Sequence, residues 1–115
     1  MKLDIGTNRF TQVEVCDDAG AGGAHHRYQV VAAEGIKAFA TIDFQNGPIN
    51  EGPINGCHNE DLLAIVIHRL QCFQSGAYAC RENALALTKL EEAMHWLNHR
   101  TQARQKRGVE GTHTV

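Results

Sequence analysis

The feature that most constrains this 115-residue chain is its last third, in which a tight turn leads into one long helix. The run FQSGAYACRENALALTKLEEAMHWLNHRTQAR contains the helix-stopping pair Ser75-Gly76 and has helical periodicity from near Ala79 to about Lys106. A helix of about 26 to 28 residues is roughly 40 Å long. This length exceeds the diameter of a compact domain of this size, so the two helix ends cannot meet within one chain.

A shorter helix of about four turns is predicted ahead of the turn. Asn59 or His58 can cap it, and acidic residues in its first turn, Glu60 and Asp61, interact favourably with the helix dipole. Its apolar residues recur at helical spacing: Leu62, Leu63, Val66, Ile67, Leu70 and Phe73. The two helices are therefore predicted to form an antiparallel hairpin with arms of unequal length.

The longer arm is predicted to carry a coiled-coil-like seam. Its apolar residues alternate at intervals of three and four: Leu87, Leu90, Met94 and Leu97. The shorter arm can cover only a little more than half of the longer one, so the apolar face around Met94, Trp96 and Leu97 needs another cover. A second copy of the chain is the natural candidate, and at least a homodimer is expected.

The first 45 residues are predicted to form a small antiparallel sheet. The segment NRFTQVEVC alternates as a half-buried strand does, with Phe10, Val13 and Val15 as the inward positions. After the glycine-rich turn DDAGAGGA, the segments RYQVVAA and KAFATIDFQ are rich in β-branched and aromatic residues and fit two further strands. The predicted fold class is therefore α+β, with a sheet followed by the helical hairpin.

The chain is expected to form one compact domain overall, made of four parts. Residues 1–45 are the β-rich part, 46–58 a connection, 59–107 the helical hairpin and 108–115 a C-terminal tail. The connection contains NGPINEGPINGC, which repeats Gly-Pro-Ile-Asn and holds both prolines of the chain. Because proline fixes φ and removes a donor, a pair of turns is expected there.

Charge is unevenly distributed along the sequence. Residues 1–64 carry nine acidic and four basic groups, whereas residues 65–115 carry four acidic and seven basic groups. The positive charge is concentrated near the end: Arg100, Arg104, Lys106 and Arg107. Because the net charge is -2, a small anionic partner fits better than DNA or RNA, for which a basic domain is typical.

The composition favours a folded cytosolic protein. A hydrophobic content of 43% and a charged content of 21% are ordinary for a globular chain. The start, MKLDIGTNRF, lacks an apolar leader and a membrane span, so no membrane partner is expected. The four cysteines do not form a Cys-x-x-Cys pair, which favours free thiols in a reducing compartment.

The spacing of the polar residues indicates no catalytic arrangement, so neither enzymatic activity nor a cofactor is expected. Adjacent Glu91 and Glu92 point in different directions on a helix. His95 and His99 lie one turn apart, as zinc ligands can, but the spacing indicates no third ligand. No metal site is predicted, and a structural metal module on these two histidines is kept as an alternative.

Two clusters at opposite ends of the long helix have the chemistry of nucleotide binding. Near the turn, Phe73 can stack on a purine and Asn83 can bond to its edge. At the far end, Arg100 and Arg104 can hold phosphate. The alternative from the residues alone is structural, with a core phenylalanine, an interhelical asparagine and a solvated basic helix end.

The distance between the clusters decides how they could act together. Asn83 and Arg100 are about 25 Å apart along an intact helix, which one nucleotide cannot span. Two hairpins packed antiparallel would bring the arginine end of one helix beside the aromatic end of the other. Two equivalent sites would then form by symmetry.

Both clusters lie in a part of the chain, roughly residues 42–115, that resembles one protein family. The segments IDFQNGPI, NEDLLAIVIHRLQCFQSG, ACRENALALTKLEEAMHWL and RGVEGTHTV, within residues 42–115, are similar to the phage-encoded Thoeris anti-defence protein one family. Its helical hairpin is shared with the phage anti-CBASS cyclic-nucleotide sponge. The resemblance implies non-catalytic sequestration of cyclic ADP-ribose isomers, made by bacterial TIR-domain enzymes during infection, in the cytoplasm of the infected host.

The resemblance also implies the residues of the site. The family's base-stacking aromatic falls on Phe73, its companion asparagine on Asn83, and two phosphate- or ribose-contacting arginines on Arg100 and Arg104. The tail is expected to line the same pocket, between protomers, through Glu110, Gly111 and Thr112. Arg81 is expected in a second site, near the hairpin turn, for cyclic di- or trinucleotides.

The resemblance further implies a trimer of dimers, and hence a hexamer. One departure concerns an arginine that the family pattern places between sheet and helices, because residues 46–57 contain none. The alternative function is a small nucleic-acid-binding phage regulator that uses the basic end of the long helix.

Overall fold

The computed structural model describes residues 1–6, 9–34 and 37–113, and the chain falls into two compact units. The first unit spans Met1–Cys57 and the second spans His58–Val115. The boundary between the units lies at the end of the predicted connection. The expectation that they form one domain overall stays a prediction.

A three-stranded antiparallel sheet in the order β1-β2-β3 forms the centre of the first unit. The strands are β1 (Thr11–Val15), β2 (Arg27–Ala32) and β3 (Ala38–Asp43). Each lies within one of the three predicted segments. β-Branched residues oppose each other across the first pair of strands, where Val13 is the partner of Val30. The predicted sheet and the α+β class are confirmed.

Few side chains of the sheet are buried. Val15 and Val31 are the buried apolar residues in the described part of the chain, and Val13 is half-buried. The expectation that Phe10 points inward is wrong, because its side chain is 75% exposed. Phe10 precedes β1, and its ring is covered by the guanidinium of Arg9, whose Cζ lies 4.9 Å from the ring centroid.

The segment after β3 closes on itself. The Gln45 N–H donates to the Cys57 carbonyl, and the Cys57 N–H donates to the Asp43 carbonyl, both at 2.8 Å. Further in, the Asn55 side chain accepts from the Asn46 N–H and donates to the Asn46 carbonyl, both at 2.8 Å. A short 3-10 turn spans Ile49–Glu51. The repeat with the prolines is therefore a closed loop whose ends are paired.

The second unit is a helical hairpin. α1 (Asn59–Gln74) has 16 residues and packs against α2 (Arg81–Lys106), which has 26 residues. Of the two candidate caps of α1, the structure uses His58. Its N–H donates to the Asp61 carboxylate at 2.8 Å, and the Asp61 N–H donates to the His58 carbonyl at 3.0 Å. The predicted long second helix is confirmed.

The half-buried side chains of α2 follow one stripe. Six of them recur at alternating intervals of four and three, and Ala93 stands beside this series: Asn83, Leu87, Leu90, Met94, Leu97 and Thr101. This pattern confirms the predicted seam, and buried Arg104 stands at the next interval. On α1, Leu63, Ile67 and Leu70 are half-buried. Val66, which helical spacing groups with these residues, is 44% exposed.

The hairpin unit leaves much apolar surface open. α1 is roughly 24 Å long and α2 roughly 39 Å, so α1 cannot cover all of α2. Large apolar side chains are exposed on both helices: Ile65, Val66, Leu85 and Trp96. In the described part of this unit, Arg104 is the one residue that is buried. Neither described helix combines the length and the apolar character that a membrane span requires.

Gly56 is required by a close approach between the closed loop and the end of β3. A Cβ at this position would lie 2.6 Å from the carbonyl oxygens of Asp43 and Phe44, which are backbone atoms. Because backbone must shift to admit a methyl group, Gly56→Ala should lower the free energy of unfolding by roughly 2 kcal/mol. Urea unfolding followed by circular dichroism measures this loss.

Gly52→Ala is the matched control in the same loop. Its Cβ would meet the Pro48 carbonyl oxygen at 3.7 Å, and the Gly52 φ of -171° is extended backbone that alanine adopts. We expect little change in stability for this variant. Equal losses in the two variants would contradict the proposed close approach at Gly56.

Candidate functional site

At the turn end of the hairpin, three side chains form a small aromatic cluster. Phe73 is half-buried in the last turn of α1, and the ring of Tyr78 meets it edge-on at a centroid distance of 6.0 Å. The Cζ of Arg69 lies 5.0 Å from the Phe73 centroid, over the ring. Tyr78 is 75% exposed. The cluster offers an exposed aromatic surface with a cation beside it.

Asn83 is tied to this cluster through the turn. Its side-chain Nδ2 donates to the Tyr78 carbonyl at 3.5 Å, and its backbone N–H donates to the Cys80 Sγ at 3.4 Å. The Gln74 side chain fixes the turn further, since it donates to the Cys80 carbonyl and accepts from the Cys80 N–H, both at 3.0 Å. The structure therefore places Phe73 and Asn83 at the same end of the hairpin, on either side of Tyr78.

The far end of α2 is closed by a Schellman motif. The Val109 N–H donates to the Arg104 carbonyl at 3.1 Å, and the Gly108 N–H donates to the Gln105 carbonyl at 3.0 Å. Gly108 has a φ of +71°, which this motif requires and which other residues adopt at a cost. The chain then reverses, and the tail folds back onto the last turns of the helix.

Arg104 holds the folded tail. Its Nη2 donates to the carbonyls of Val109 at 2.9 Å and Thr112 at 3.3 Å, and its Nε lies 3.5 Å from Oε2 of Glu110. The Thr112 N–H also donates to the Val109 carbonyl at 3.1 Å. The Arg104 residue is only 8% exposed. This arginine is therefore engaged by the tail and is not a free cation on the helix surface.

Arg100 and Arg81 are placed differently from Arg104. Arg100 lies one turn earlier on α2 and is exposed, and no partner of its guanidinium is found among the described residues. Arg81 is the first residue of α2 and is also exposed. Of the two arginines expected to contact phosphate, Arg100 is the accessible cation, whereas Arg104 lies beneath the tail residues Glu110, Gly111 and Thr112.

A polar cavity of about 340 Å³ lies in the first unit. One wall carries Asp17, whose pKa is raised by burial but lowered more by the N–H groups of His26 and Arg27, so that the net shift is downward. Another wall carries the ion pair between Arg27 and Asp43 at 2.8 Å, which raises the pKa of Arg27. Because Arg27 is already paired and Asp17 adds a further negative charge, the cavity suits an anion less well than the arginine end of α2.

The described histidines and cysteines meet in pairs, such as Cys72 Sγ and His68 Nε2 at 3.9 Å, rather than in larger groups. The rings of His95 and His99 flank Trp96 at centroid distances of 5.3 and 5.6 Å on the exposed side of α2. All four cysteines are free thiols. Within residues 1–6, 9–34 and 37–113, no group of three or more His, Cys, Asp or Glu side chains is arranged to hold a metal ion.

Two residues of the aromatic cluster, Arg69 and Tyr78, are not among the residues that the sequence predicts for the site. Arg69 stands four positions before Phe73 on α1, and this spacing alone indicates that the two side chains meet on one helix face. Tyr78 lies in the turn, where no periodicity applies. Its contact with Phe73 depends on the way Gln74 fixes the backbone of Cys80.

Comparison with known proteins finds relatives of the hairpin. The family described as "Acb2/Tad1, hairpin domain" matches residues 37–102, which include α1 and most of α2. The chain is 54% identical over 94 residues to a protein of Bacillus phage SBSphiJ7 named "Thoeris anti-defense 1". The similarity covers 82% of this chain and 65% of that relative, so the chain spans somewhat less than two thirds of the relative's length.

The family match spans α1 and α2 as far as residue 102. The aromatic cluster lies in the matched hairpin, and Arg100 stands two residues before the end of the match. The resemblance read from the sequence is therefore confirmed, and the chain belongs to the Acb2/Tad1 hairpin family.

Proposed function

We propose that this protein binds and sequesters cyclic ADP-ribose-type immune signals without degrading them, and thereby counters the Thoeris defence of a bacterial host. The similar phage protein named for Thoeris anti-defence supports this role. The place of action is then the cytoplasm of the infected cell. The function is storage of a signal, and no enzymatic step is part of it.

The observation that carries the proposal is the separation of two complementary half-sites on α2. Asn83 and Arg100 are roughly 25 Å apart along the helix, so one nucleotide cannot touch both in one chain. Two hairpins packed antiparallel would bring the aromatic cluster of one copy beside the arginine end of its partner. Each pair of chains would then hold two equivalent pockets.

The exposed apolar surface supports assembly of several copies. Ile65, Leu85 and Trp96 are exposed on the hairpin, and Phe39 is exposed on the sheet. A chain this short that buries so few apolar side chains gains stability when another copy covers them. We propose a homodimer as the smallest unit and a trimer of dimers as the full assembly.

The two half-sites match the parts of a cyclic ADP-ribose. The adenine ring can stack against the Phe73 and Tyr78 surface, while the amide of Asn83 can bond to the edge of the base. The pyrophosphate and ribose groups can reach the guanidinium of Arg100 and the backbone of the tail. A ligand with both a purine and a pyrophosphate uses the two ends at once.

A second ligand class is proposed at the turn. Arg81 is exposed at the start of α2, where the helix dipole and unpaired N–H groups favour an anion. A cyclic di- or trinucleotide presents phosphates that suit this position. Such a site would lie near the turn and would be separate from the pocket for cyclic ADP-ribose.

The exposed basic end of α2 favours an alternative function, that of a small phage regulator that binds DNA or RNA. Arg100, Lys106 and Arg107 are exposed there. If this end binds DNA or RNA, affinity should fall steeply as salt is raised. The net charge of -2 counts against this function.

Sequestration predicts that the bound signal is recovered unchanged. Cyclic ADP-ribose is incubated with the protein, free ligand is removed, and the bound fraction is released by heat and identified by mass spectrometry. We expect intact cyclic ADP-ribose at a stoichiometry near one per chain. Phe73→Ala, which lacks the stacking ring, should release almost none, and recovery of a cleaved product would show an enzyme instead.

A pocket shared between copies predicts complementation between two inactive variants. Phe73→Ala and Arg100→Ala alter opposite half-sites, so each homo-oligomer should bind cyclic ADP-ribose at least about tenfold more weakly. In a purified mixed dimer, one of the two pockets is intact by symmetry, so about half of the wild-type stoichiometry should return. Calorimetry measures both affinity and stoichiometry.

Arg100→Ala is preferred to Arg104→Ala in this experiment because Arg104 also holds the tail. Lys106→Ala removes a nearby exposed positive charge and serves as the control, with binding expected to be unchanged. Mixed dimers that bind no better than either variant would argue that each pocket lies within one chain.

A further inference from the structure

In the tail, the Glu110 carboxylate lies against the buried guanidinium of Arg104 and the Gly111 N–H. We propose that Glu110 is an internal counter-ion, which a ligand phosphate must replace, and that it thereby selects for strongly anionic ligands. This inference rests on the proposed function, because it concerns the arginine end of the same pocket. The family resemblance implies that Glu110 contacts the ligand directly. The inference is instead that the ligand displaces Glu110.

The first step is the state of Arg104. The guanidinium lies under the tail, and its Nη2 is bonded to two neutral carbonyl oxygens, those of Val109 and Thr112. These bonds fix its orientation but leave its charge unbalanced. A buried charge needs a partner of opposite sign, since desolvation is otherwise costly. Glu110 supplies that partner.

The second step is the way in which two donors converge on Glu110. Oε2 lies 3.5 Å from the Arg104 Nε, and Oε1 accepts a hydrogen bond from the Gly111 N–H at 3.2 Å. A guanidinium beside a backbone N–H is an arrangement that binds phosphate oxygens. The Glu110 carboxylate therefore fills a position with the donors that an anionic ligand would use.

The third step is that the ion pair between Arg104 and Glu110 is weak enough for a ligand phosphate to replace the Glu110 carboxylate. The Arg104 Nε is buried and makes no hydrogen bond, and 3.5 Å is longer than a charge-assisted hydrogen bond of about 2.8 Å. The Oε2 atom is buried, but the Glu110 side chain as a whole is one third exposed and so reaches the solvent boundary. A phosphate oxygen at the same position could approach both donors closely, while the two carbonyl bonds keep Arg104 in place.

A preference for ligands that carry phosphate follows, because the ligand must replace the Glu110 carboxylate. A neutral nucleoside cannot replace the carboxylate, because Arg104 would then lose its counter-ion. A pyrophosphate or phosphodiester can replace it, since it brings its own negative charge. Glu110 therefore weakens the binding of every anion to some extent and excludes ligands that carry no phosphate.

The test compares Glu110→Gln with the wild type, using inorganic pyrophosphate as the probe in calorimetry. Glutamine keeps the shape and an oxygen for the Gly111 N–H but removes the charge. We expect about fivefold tighter binding of pyrophosphate to the variant, since one partly exposed competing charge is lost. The control is Glu92→Gln, which removes an exposed charge on α2 that pairs with Lys89 at 3.7 Å, and it should bind as the wild type does.

Two results of the calorimetry would overturn the inference. Weaker or unchanged binding in Glu110→Gln would show that Glu110 contacts the ligand or plays no part. Absence of pyrophosphate binding in both proteins at millimolar concentration would show that Arg104 is closed to anions. The backbone amide of Gly111 gives a second readout in the wild type, because its hydrogen bond to Glu110 must break when pyrophosphate enters.

The Gly111 amide resonance in nuclear magnetic resonance spectra should therefore shift when pyrophosphate is added. If the protein binds pyrophosphate and this resonance does not move, the inference is overturned. This readout holds even if Glu110→Gln loosens the tail. Cyclic ADP-ribose is titrated in parallel. If the wild type binds pyrophosphate as expected but not cyclic ADP-ribose, the proposed function fails and the exchange at Arg104 stands.

Discussion

The length of α2 relative to α1 is the constraint on which the rest of the hairpin unit depends. With 26 residues against 16, α2 extends roughly 15 Å beyond what its neighbour can cover. The extension must be stabilised by other means. The tail does this at the C-terminal end, where Arg104 continues the half-buried stripe of α2 beneath Val109 and Thr112. The exposed apolar residues on the remaining surface, such as Trp96, favour another copy of the chain.

The two ends of α2 are built by different physical means, and this difference suits them to different parts of a ligand. At the turn end, the contacts are aromatic and amide contacts, with Phe73, Tyr78 and Asn83 held by a backbone that Gln74 fixes. At the tail end, the contacts are electrostatic, and Arg104 organises them. A flat neutral base fits the first environment and a charged phosphate fits the second.

Periodicity predicts those features of the fold that local sequence determines. The α1 cap at His58 and the seam through Leu87 and Leu97 follow from spacing and capping chemistry, so the helices are located to within about two residues. The exposure of a side chain depends on what packs against it, which spacing does not show. Spacing therefore does not predict that Phe10 and Val66 are exposed. The three strands follow in the same way from β-branched and aromatic residues.

The site is less predictable than the fold because its charges are arranged by tertiary contacts. Spacing places Arg100 and Arg104 on one helix face, and from spacing alone the two are equivalent. The structure separates them, since the glycine at position 108 turns the chain back and lets the tail cover only Arg104. No local pattern reports that Glu110 then reaches the guanidinium.

A pocket divided between copies has a consequence for how the protein would hold its ligand. In the proposed pocket, the aromatic cluster of one copy supplies the stacking surface and Arg100 of another copy supplies the cation for the pyrophosphate, so affinity would depend on the assembled state. Ligand bound between copies also stabilises that state by mass action. Binding and assembly would then reinforce each other, and a tightly assembled protein can retain a signal without any chemical step. In the proposed assembly, the length of α2 would set both the need for a partner and the place where the partner completes the site.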